Sequence, residues 1–323
     1  MAQHFLLSPA ARTLSLKAIM RMDDAEAFGV FQAIRFADNG GEPFCPKCGA
    51  VKVYTLAEAP IRWKCAACRR KFSVTSGTTF HSRKLPIREY LAVIALFTGG
   101  VKGVAALHMA RDMNINPKSA FVLLHKLREA MGAVQTRPGE LGGTVEIDGM
   151  YTRGHYRQPN RKAERVDLRS LPEDRKQVVV VARERGLGRS LTWVVGKESD
   201  AVPMIRQAVA SGTEIHADEA GGWNVLHASY PMKRVNHSVE FKSADDACTN
   251  EAESFFSRLR RSEMGIHHRI SGRLLEAYAR ECSWREDNRR VANGTQWKWI
   301  TAAALGHGKS ERWTGYWHRK AVA

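Results

Sequence analysis

The sequence predicts an α/β protein of several domains. Three observations support this class: two pairs of cysteines in the first quarter of the chain, a helical stretch after them, and a long region in which short β-type runs alternate with helices. With 323 residues and a hydrophobic content of 44%, the chain can form two or three domains with at least one full core.

Composition divides the chain into five segments, which we take as the predicted domains. They are a helical lead-in (1–42), a cysteine-bearing segment (43–82), a segment with helical periodicity (84–133), an α/β region (142–285) and a basic, tryptophan-rich tail (286–323).

The chain is strongly basic, with 50 Lys and Arg against 33 Asp and Glu, a net charge of +17. Such a surface favours an acidic polymer, because each cation that meets a phosphate releases a condensed counterion. We therefore expect double-stranded DNA as the partner; charge that serves solubility alone is the alternative. The longest apolar run, "YLAVIALF", is too short to span a bilayer, so we expect a cytoplasmic, nucleoid-associated protein without a membrane segment.

The motifs "CPKC" and "CAAC" predict a structural zinc site formed by Cys45, Cys48, Cys65 and Cys68. Each C-x-x-C turn directs two sulfur atoms at one point, and two such turns complete a tetrahedral site. A redox motif is the alternative, but one pair is sufficient for redox chemistry. The short ribbon between the pairs cannot bury much apolar surface, so we expect metal binding to stabilise its fold.

The stretch from 104 to 131 predicts a helix-turn-helix. The first helix covers 104–112, and the second begins at Pro117 with Asn116 as its N-cap. The second helix offers four polar side chains to a DNA groove: Lys118, Ser119, His125 and Lys126. Two packed helices without a role in DNA binding remain the alternative.

The α/β region has the order of elements of a ribonuclease-H-like mixed sheet flanked by helices. In chain order we predict a strand over 142–151, a hairpin over 176–196, a helix over 201–212, a strand within 213–223 that ends at Asp218, and a helix from about Thr249. In this arrangement the carboxylates of Asp148 and Asp218 lie at the ends of neighbouring central strands, and Glu253 approaches from the last helix.

Three carboxylates that converge repel one another unless they hold hard divalent cations. Two Mg²⁺ or Mn²⁺ ions bound by Asp148, Asp218 and Glu253 could activate a water or a 3′-hydroxyl and stabilise the leaving oxygen of a phosphoryl displacement. Each acid alone is weak evidence, because a strand-end aspartate and a helical glutamate beside arginines are common surface features. The prediction depends on their order and placement together.

These motifs together resemble those of the zinc-ribbon, ISXO-type DDE transposases of bacterial insertion sequences. The resemblance runs from the zinc ribbon to the end of the chain and depends on ordered motifs: "CPKC…CAAC", "KFSVTSGTTFHSRKLP", "VEIDGMY", "RKQVVVVARERG", "IHADEAGGW", "KRVNHS", "ACTNEAESFFSRLRRSEMGIHHRISG" and "WREDNRRV". It implies a transposase that binds the terminal inverted repeats of its element, cleaves DNA with Mg²⁺ and transfers strands.

The resemblance also implies roles for single residues. Asp148, Asp218 and Glu253 would be the catalytic metal ligands, although some relatives carry Asn at the third position, which keeps Asn250 open. A basic residue seven positions after the glutamate is typical of the family, often Lys; Arg260 holds that place and would contact a phosphate near the scissile bond. For His216 and His237 we expect structural roles, with a phosphate or water contact as the alternative at His237.

The predicted function is therefore a DDE transposase that acts as a homodimer or larger assembly on DNA, because two ends must be joined in one complex. Two alternatives remain. One is a catalytically inactive, DNA-binding regulator with the same zinc ribbon and helix-turn-helix; the other is a nuclease that cuts without joining.

Overall fold

The computed structural model describes residues 5–57, 61–135, 141–152, 160–165, 177–186, 188–235 and 248–318. These residues divide between two compact units. Unit 1 comprises residues 1–133 and 290–323, and unit 2 comprises residues 134–289. The C-terminal residues thus belong to the same unit as the N-terminal ones, and the five predicted segments remain our proposal for the organisation within these units.

The described residues form nine α-helices and eight strands, with 3₁₀ segments and one π-helical turn, Glu263–His267, between them. The helices are α1 (Leu16–Arg21), α2 (Asp24–Arg35), α3 (Ile87–Gly99), α4 (Ala106–Asp112), α5 (Pro117–Gln135), α6 (Val202–Ala208), α7 (Asn250–Ser262), α8 (Gly272–Asp287) and α9 (Asn293–Gly306). The strands are β1 (Val53–Leu56), β2 (Arg62–Cys65), β3 (Lys71–Ser73), β4 (Thr144–Thr152), β5 (Gln177–Glu184), β6 (Ser190–Val195), β7 (Glu214–Asp218) and β8 (Met232–Val235). None of the helices in the described ranges is long and apolar enough to cross a membrane.

Unit 1 contains a three-stranded antiparallel ribbon, β1-β2-β3, and a group of helices. The ribbon has its own aromatic centre: Trp63, 3% exposed, packs against Phe28, Phe36 and Phe72. Among the helices, α3 is the apolar centre, and it packs against α1, α2 and α9. The indole N–H of Trp297 on α9 donates a hydrogen bond to the carbonyl oxygen of Leu91 (3.0 Å).

Of the four tryptophans in the C-terminal segment, two are buried and two are exposed. Trp297 and Trp313 are buried in unit 1, at 5% and 2% exposure, so they dock the segment onto the unit. Trp299 and Trp317 are each 48% exposed. One pair of tryptophans therefore docks the segment, and the other pair lies at the surface of unit 1.

Unit 2 is built on a five-stranded mixed sheet with the order β6-β5-β4-β7-β8. The central strand β4 pairs antiparallel with β5 and parallel with β7; β5 and β6 form the predicted hairpin, and β8 adds a second parallel pair. Strand β5 carries the run "VVVV", all of it buried, as expected for a strand covered by helices on both faces. This order confirms the predicted α/β class and is consistent with a ribonuclease-H-like sheet.

The two faces of the sheet have different partners. Val145, Ile147, Ile215 and Ala217 face a core that they share with α6 and Trp223. Because side chains alternate along a strand, the even-numbered residues of β4 and β7 face the opposite side. Helices α7 and α8 pack on that side, where α7 contacts β4 and β5 and α8 contacts β6.

Two elements differ from the sequence prediction. The helix predicted over 201–212 ends at Ala208, because the chain then extends and bonds to Leu141: Leu141 N–H donates to Ala208, and Ala210 N–H donates to Leu141. Strand β8 was not predicted; it has only four residues, three of them half-buried, and follows Pro231, so its sequence carries little β signal.

Candidate active site and zinc site

The four predicted cysteines meet in a metal-binding cluster. One ligand atom from each lies within 4.8 Å of the others, with Sγ of Cys45 3.5 Å from Cys68 and Sγ of Cys48 3.6 Å from Cys65. A hydrogen bond from Cys68 N–H lowers the pKa of Cys65 to about 7, which favours the thiolate that a metal needs. The pKa of its neighbour Cys48 is raised to about 11, because the backbone hydrogen bond from Ala50 is outweighed by the bonds with the other cysteine sulfurs, chiefly that of Cys65, and by desolvation. Four sulfurs at these separations fit a tetrahedral zinc ion.

Asp148 and Asp218 lie side by side at the end of the parallel pair formed by β4 and β7. The register pairs Ile147 with Ala217, so the next residue on each strand is one of the two aspartates. Both project to the side of the sheet where α7 packs, since both alternate with residues of the apolar core.

Glu253 comes to the same edge from the first turn of α7, which begins at Asn250. The negative charge of Glu253 is close enough to Asp148 to raise the pKa of that carboxyl. Burial raises the pKa of Asp148 to about 7, and the charges of Asp218, Glu253 and Glu198 add to the rise. The Gly149 N–H, which donates to Oδ1 of Asp148 at 2.7 Å, opposes it. The structure thus brings the three predicted acids to one edge of the sheet.

A divalent cation at this edge would replace repulsion between carboxylates by attraction. In the described part of the chain, the hydrogen bonds that Asp148 and Asp218 accept go to Oδ1; those of Asp218 come from Trp223 Nε1 (3.0 Å) and Ala220 N (3.3 Å). The second oxygen of each carboxylate is left to ligate an ion. The oxygens of the three acids do not all lie within 4.8 Å of one another; among the described residues, the four cysteines form the one group whose ligand atoms do.

Glu146 is a buried carboxylate that the sequence prediction overlooked. It lies two residues before Asp148 on the same face of β4 and is 1% exposed. Its Oε2 accepts hydrogen bonds from the backbone N–H groups of Glu251 (2.8 Å) and Ala252 (3.0 Å), and its Oε1 accepts from Arg185 Nε (2.7 Å). The carboxylate therefore caps α7 and fixes the helix turn that carries Glu253.

Glu198 is a second acid that the prediction overlooked. Only 9% exposed, it lies against Gly149 and Gly222, where an added Cβ would come within 2.6 Å and 3.0 Å of its side chain. Burial raises its pKa, Asp218 adds to the rise, and a hydrogen bond from the Tyr151 hydroxyl opposes it. In the sequence, Gly149 directly after Asp148 and Gly222 shortly after Asp218 were the signal that a side chain packs closely against the backbone there.

Four further polar residues, three on α7 and one beside Asp218, have distinct positions. Arg260, two turns beyond Glu253, is exposed near the end of the helix, and Asn250 is exposed at its first position. Glu251 bonds to the buried Arg183 (3.0 Å) and does not belong to the acid edge. Glu219 is exposed beside Asp218.

His216 is a structural residue, as expected. It is 1% exposed, its Nε2 bonds to Glu214 (2.8 Å), and its Nδ1 accepts from the backbone N–H of Cys248 (3.3 Å). His237 lies outside the described residues.

The predicted helix-turn-helix corresponds to α4 and α5, joined by residues 113–116. Asn116 Oδ1 accepts from Lys118 N–H (2.9 Å), as expected of an N-cap. Two of the four side chains assigned to DNA point elsewhere: His125 is 1% exposed against the ring of Trp313, and Lys126 Nζ donates to Thr79 O (3.2 Å). This corrects the expectation for these two, because both sit on the inner face of α5; Lys118 and Ser119 are exposed.

The cysteine cluster and the mixed sheet lie in two segments that match known transposase families. Residues 22–71 match the family described as a transposase zinc-ribbon domain, and residues 140–287 match the ISXO2-like transposase domain. A comparison with curated proteins finds none that matches this chain. The two matches confirm the resemblance drawn from the sequence: one segment of the chain matches a transposase zinc-ribbon domain and another matches an ISXO2-like transposase domain.

Proposed function

We propose that the protein binds the terminal inverted repeats of an insertion sequence and catalyses metal-dependent DNA cleavage and strand transfer. The observation that carries the proposal is the alignment of Asp148 with Asp218 on neighbouring parallel strands, with the charge of Glu253 reaching the same edge. This edge lies within the segment that matches a transposase domain family.

In this proposal Asp148, Asp218 and Glu253 hold Mg²⁺ or Mn²⁺. The bound ions would lower the pKa of a water or a 3′-hydroxyl and neutralise charge on the phosphate and the leaving oxygen. The attacking oxygen forms a bond to phosphorus as the bond to the leaving oxygen breaks, so no covalent bond to the protein is needed.

The task of the protein's own groups is positioning. The indole N–H of Trp223 and the N–H of Ala220 orient Asp218, while the Gly149 N–H orients Asp148. The exposed guanidinium of Arg260 lies on the Glu253 side of α7, two turns on, where it can receive a phosphate of the DNA strand with two parallel hydrogen bonds.

Unit 1 supplies DNA recognition in this proposal. Its zinc cluster stabilises the ribbon, and Lys118 and Ser119 remain exposed at the start of α5, the position from which a second helix of a helix-turn-helix enters the major groove. The net charge of +17 supports a polyanionic partner. We expect at least a dimer on DNA, because strand transfer requires two ends in one complex.

Asp148→Asn tests the proposal against both rivals. The variant keeps the size of the side chain and its acceptor oxygen but loses the charge that a cation needs. We expect wild type to join labelled transposon ends to target DNA with Mg²⁺, and the variant to bind the ends with unchanged affinity and to lose cleavage and joining by at least 10³-fold, since metal-ligand loss removes several kcal/mol of transition-state stabilisation.

The products of wild type separate the alternatives. Binding without any Mg²⁺-dependent cleavage would identify a DNA-binding regulator. Cleaved ends with no joined strand would identify a nuclease. Equal activity of Asp148→Asn and wild type would reject the proposed catalytic role of the acid edge.

A further inference from the structure

Unit 1 contains a polar cleft of about 450 Å³ beside the zinc ribbon. Its lining includes Arg62, Lys71, His81 and Arg83, together with serine hydroxyls, and none of its lining residues is acidic. We propose that this cleft binds the phosphate backbone of duplex DNA. The inference rests on the proposed function, because it names the part of the ribbon that holds the substrate.

The strand register produces the cationic side of the cleft. In the β2-β3 pair, Trp63 lies opposite Phe72, and both rings are buried in the aromatic centre of the ribbon. Their neighbours Arg62 and Lys71 therefore point to the other face, where both are exposed. The alternation that builds the core of the ribbon thus also places positive charge on its outer surface.

The loop after β3 gives the cleft a fixed wall. The guanidinium of Arg35 donates hydrogen bonds to three backbone carbonyls, those of Ser73 (3.2 Å), Val74 and Ser76 (2.6 Å). Ser76 Oγ also accepts from the backbone N–H of Ser73 (2.9 Å). The half-buried Arg35 thus holds this short loop in one shape, and a preorganised site loses less entropy when it binds.

His81 brings a directed donor to the same cleft. The backbone N–H of Gly77 donates to its Nδ1 (3.2 Å), which leaves Nε2–H as the donor of the neutral ring. Burial lowers the pKa of His81, and the positive charges of Lys309, Arg70 and Lys126 lower it further. The surroundings of the ring are therefore cationic.

The next residue, Ser82, adopts a left-handed conformation with φ of 56°. A residue with a Cβ pays roughly 1 kcal/mol or more for this conformation, and such residues concentrate at binding and catalytic sites. The chain turns sharply here and returns Arg83 to the cleft, where its Nη1 is fixed by a hydrogen bond to the Leu85 carbonyl (2.7 Å).

The donor set identifies the ligand. Guanidinium, ammonium and imidazole N–H groups only donate or attract negative charge, and serine hydroxyls donate to phosphate oxygens without reading a base. The exposed part of Ile61, 42% accessible at the rim, offers an apolar surface for deoxyribose. This combination matches a sugar-phosphate strand and predicts contacts that position DNA without specifying its sequence.

The test is the double variant Arg62→Gln/Lys71→Gln in the full-length protein. With a mixed-sequence 30-base-pair duplex, we expect the dissociation constant at 0.15 M salt to rise about tenfold or more, and the slope of log affinity against log salt to fall by about 2, one for each lost phosphate contact. The conservative variant Arg62→Lys/Lys71→Arg should retain most of the affinity.

The matched control is Lys17→Gln/Arg21→Gln, which removes two exposed cations from α1, outside the cleft. Zinc content and thermal melting of each variant establish that the ribbon is folded. Equal weakening by the control and the cleft variant, or unchanged affinity of the cleft variant with full zinc content, would overturn the proposal.

These outcomes are separate from those of the proposed function. A protein that cleaves and joins DNA with Mg²⁺ but binds equally well after the cleft substitutions retains its transposase activity and loses only the cleft assignment. A protein that binds through the cleft but never cleaves retains the cleft and loses the catalytic proposal.

Discussion

The carboxylate of Glu146 on the central strand accepts a hydrogen bond from the backbone N–H of Ala252 in the first turn of α7, at 3.0 Å. A second bond, from the N–H of Glu251, joins the same oxygen at 2.8 Å. Because Asp148 follows Glu146 on the strand and Glu253 follows Ala252 on the helix, this one carboxylate sets the distance between two of the three candidate metal ligands.

The first prediction concerns this link. Glu146→Ala leaves two buried N–H groups and the Arg185 guanidinium without their acceptor, so we expect the free energy of unfolding to fall by about 2–3 kcal/mol. Urea denaturation measures the loss. Glu146→Gln keeps one acceptor oxygen for the helix and should lose less.

The functional consequence of Glu146→Gln is more informative than its stability. The variant retains all three candidate metal ligands, so we expect strand transfer to survive but to require several-fold more Mg²⁺ for half-maximal rate. A Mg²⁺ titration of joining activity measures the shift. An unchanged Mg²⁺ requirement together with lower stability would show that Glu146 serves folding alone.

The second prediction concerns pH. The pKa of Asp148 is raised from 3.8 to about 7, so the folded protein holds a proton there that the unfolded chain has released. Between pH 4 and 7 the folded state binds more protons, and the stability of the magnesium-free protein therefore falls as pH rises through this window.

Asp148→Asn removes this contribution. At pH 8 without Mg²⁺ we expect the variant to be more stable than wild type by about 1 kcal/mol or more, and at pH 4 to be equally stable. Asp287, whose pKa burial also raises to about 7, stays in place, so part of the pH dependence persists. Urea melts at both pH values measure this; a chelator is avoided because it would remove zinc. A variant less stable than wild type at pH 8 contradicts the prediction.

Magnesium binding at the proposed site should have the opposite pH dependence. A divalent ion competes with the proton on Asp148, so we expect Mg²⁺ affinity to increase with pH up to about 7 and to level off above it. Isothermal titration at pH 6 and pH 8 in two buffers of different ionisation enthalpy should reveal a released proton at pH 6 only. Affinity that is equal at both pH values would exclude ligation by Asp148.

The third prediction concerns zinc. Removing the metal with a strong chelator, or one ligand by Cys65→Ser, should unfold the ribbon of 43–82, because its strands are short and its core is a single aromatic group around Trp63. We expect loss of DNA binding and rapid proteolysis within this segment. Unit 2 has its own sheet and core, so a protease-resistant fragment containing residues 141–287 should remain. Full resistance of the ribbon after zinc loss would contradict the prediction.

The fourth prediction concerns the close approach of Gly149 and Glu198. A Cβ at position 149 would lie 2.6 Å from Oε1 and 2.9 Å from Cγ of Glu198, which is itself held against Gly222. We expect Gly149→Ala to destabilise the protein by about 1–3 kcal/mol. In the Glu198→Ala background the same substitution should cost little. A double-mutant cycle by urea denaturation measures the coupling, and additive effects would contradict the contact.

The sequence alone determined the features that depend on local spacing. Two C-x-x-C turns define a metal cluster wherever they meet, and β-type runs between turn residues predicted four of the five strands of unit 2, all except β8. The order of these elements was sufficient to predict the α/β class and to place Asp218 at the end of its strand. Asp148 was also predicted at a strand end, but it lies in the middle of β4, because β4 continues to Thr152 in its pairing with β5 after its pairing with β7 has ended.

Tertiary structure decided what depends on contacts between distant residues. The cap that Glu146 places on α7 joins positions more than a hundred residues apart, the C-terminal residues join unit 1 through Trp297 and Leu91, and the burial of His125 depends on Trp313. No local pattern encodes these partners, because a buried carboxylate or ring is stabilised by whichever group the fold brings to it. Residues whose role depends on their spacing along the chain could therefore be predicted from the sequence. Residues whose role depends on burial could be assigned only from the folded structure.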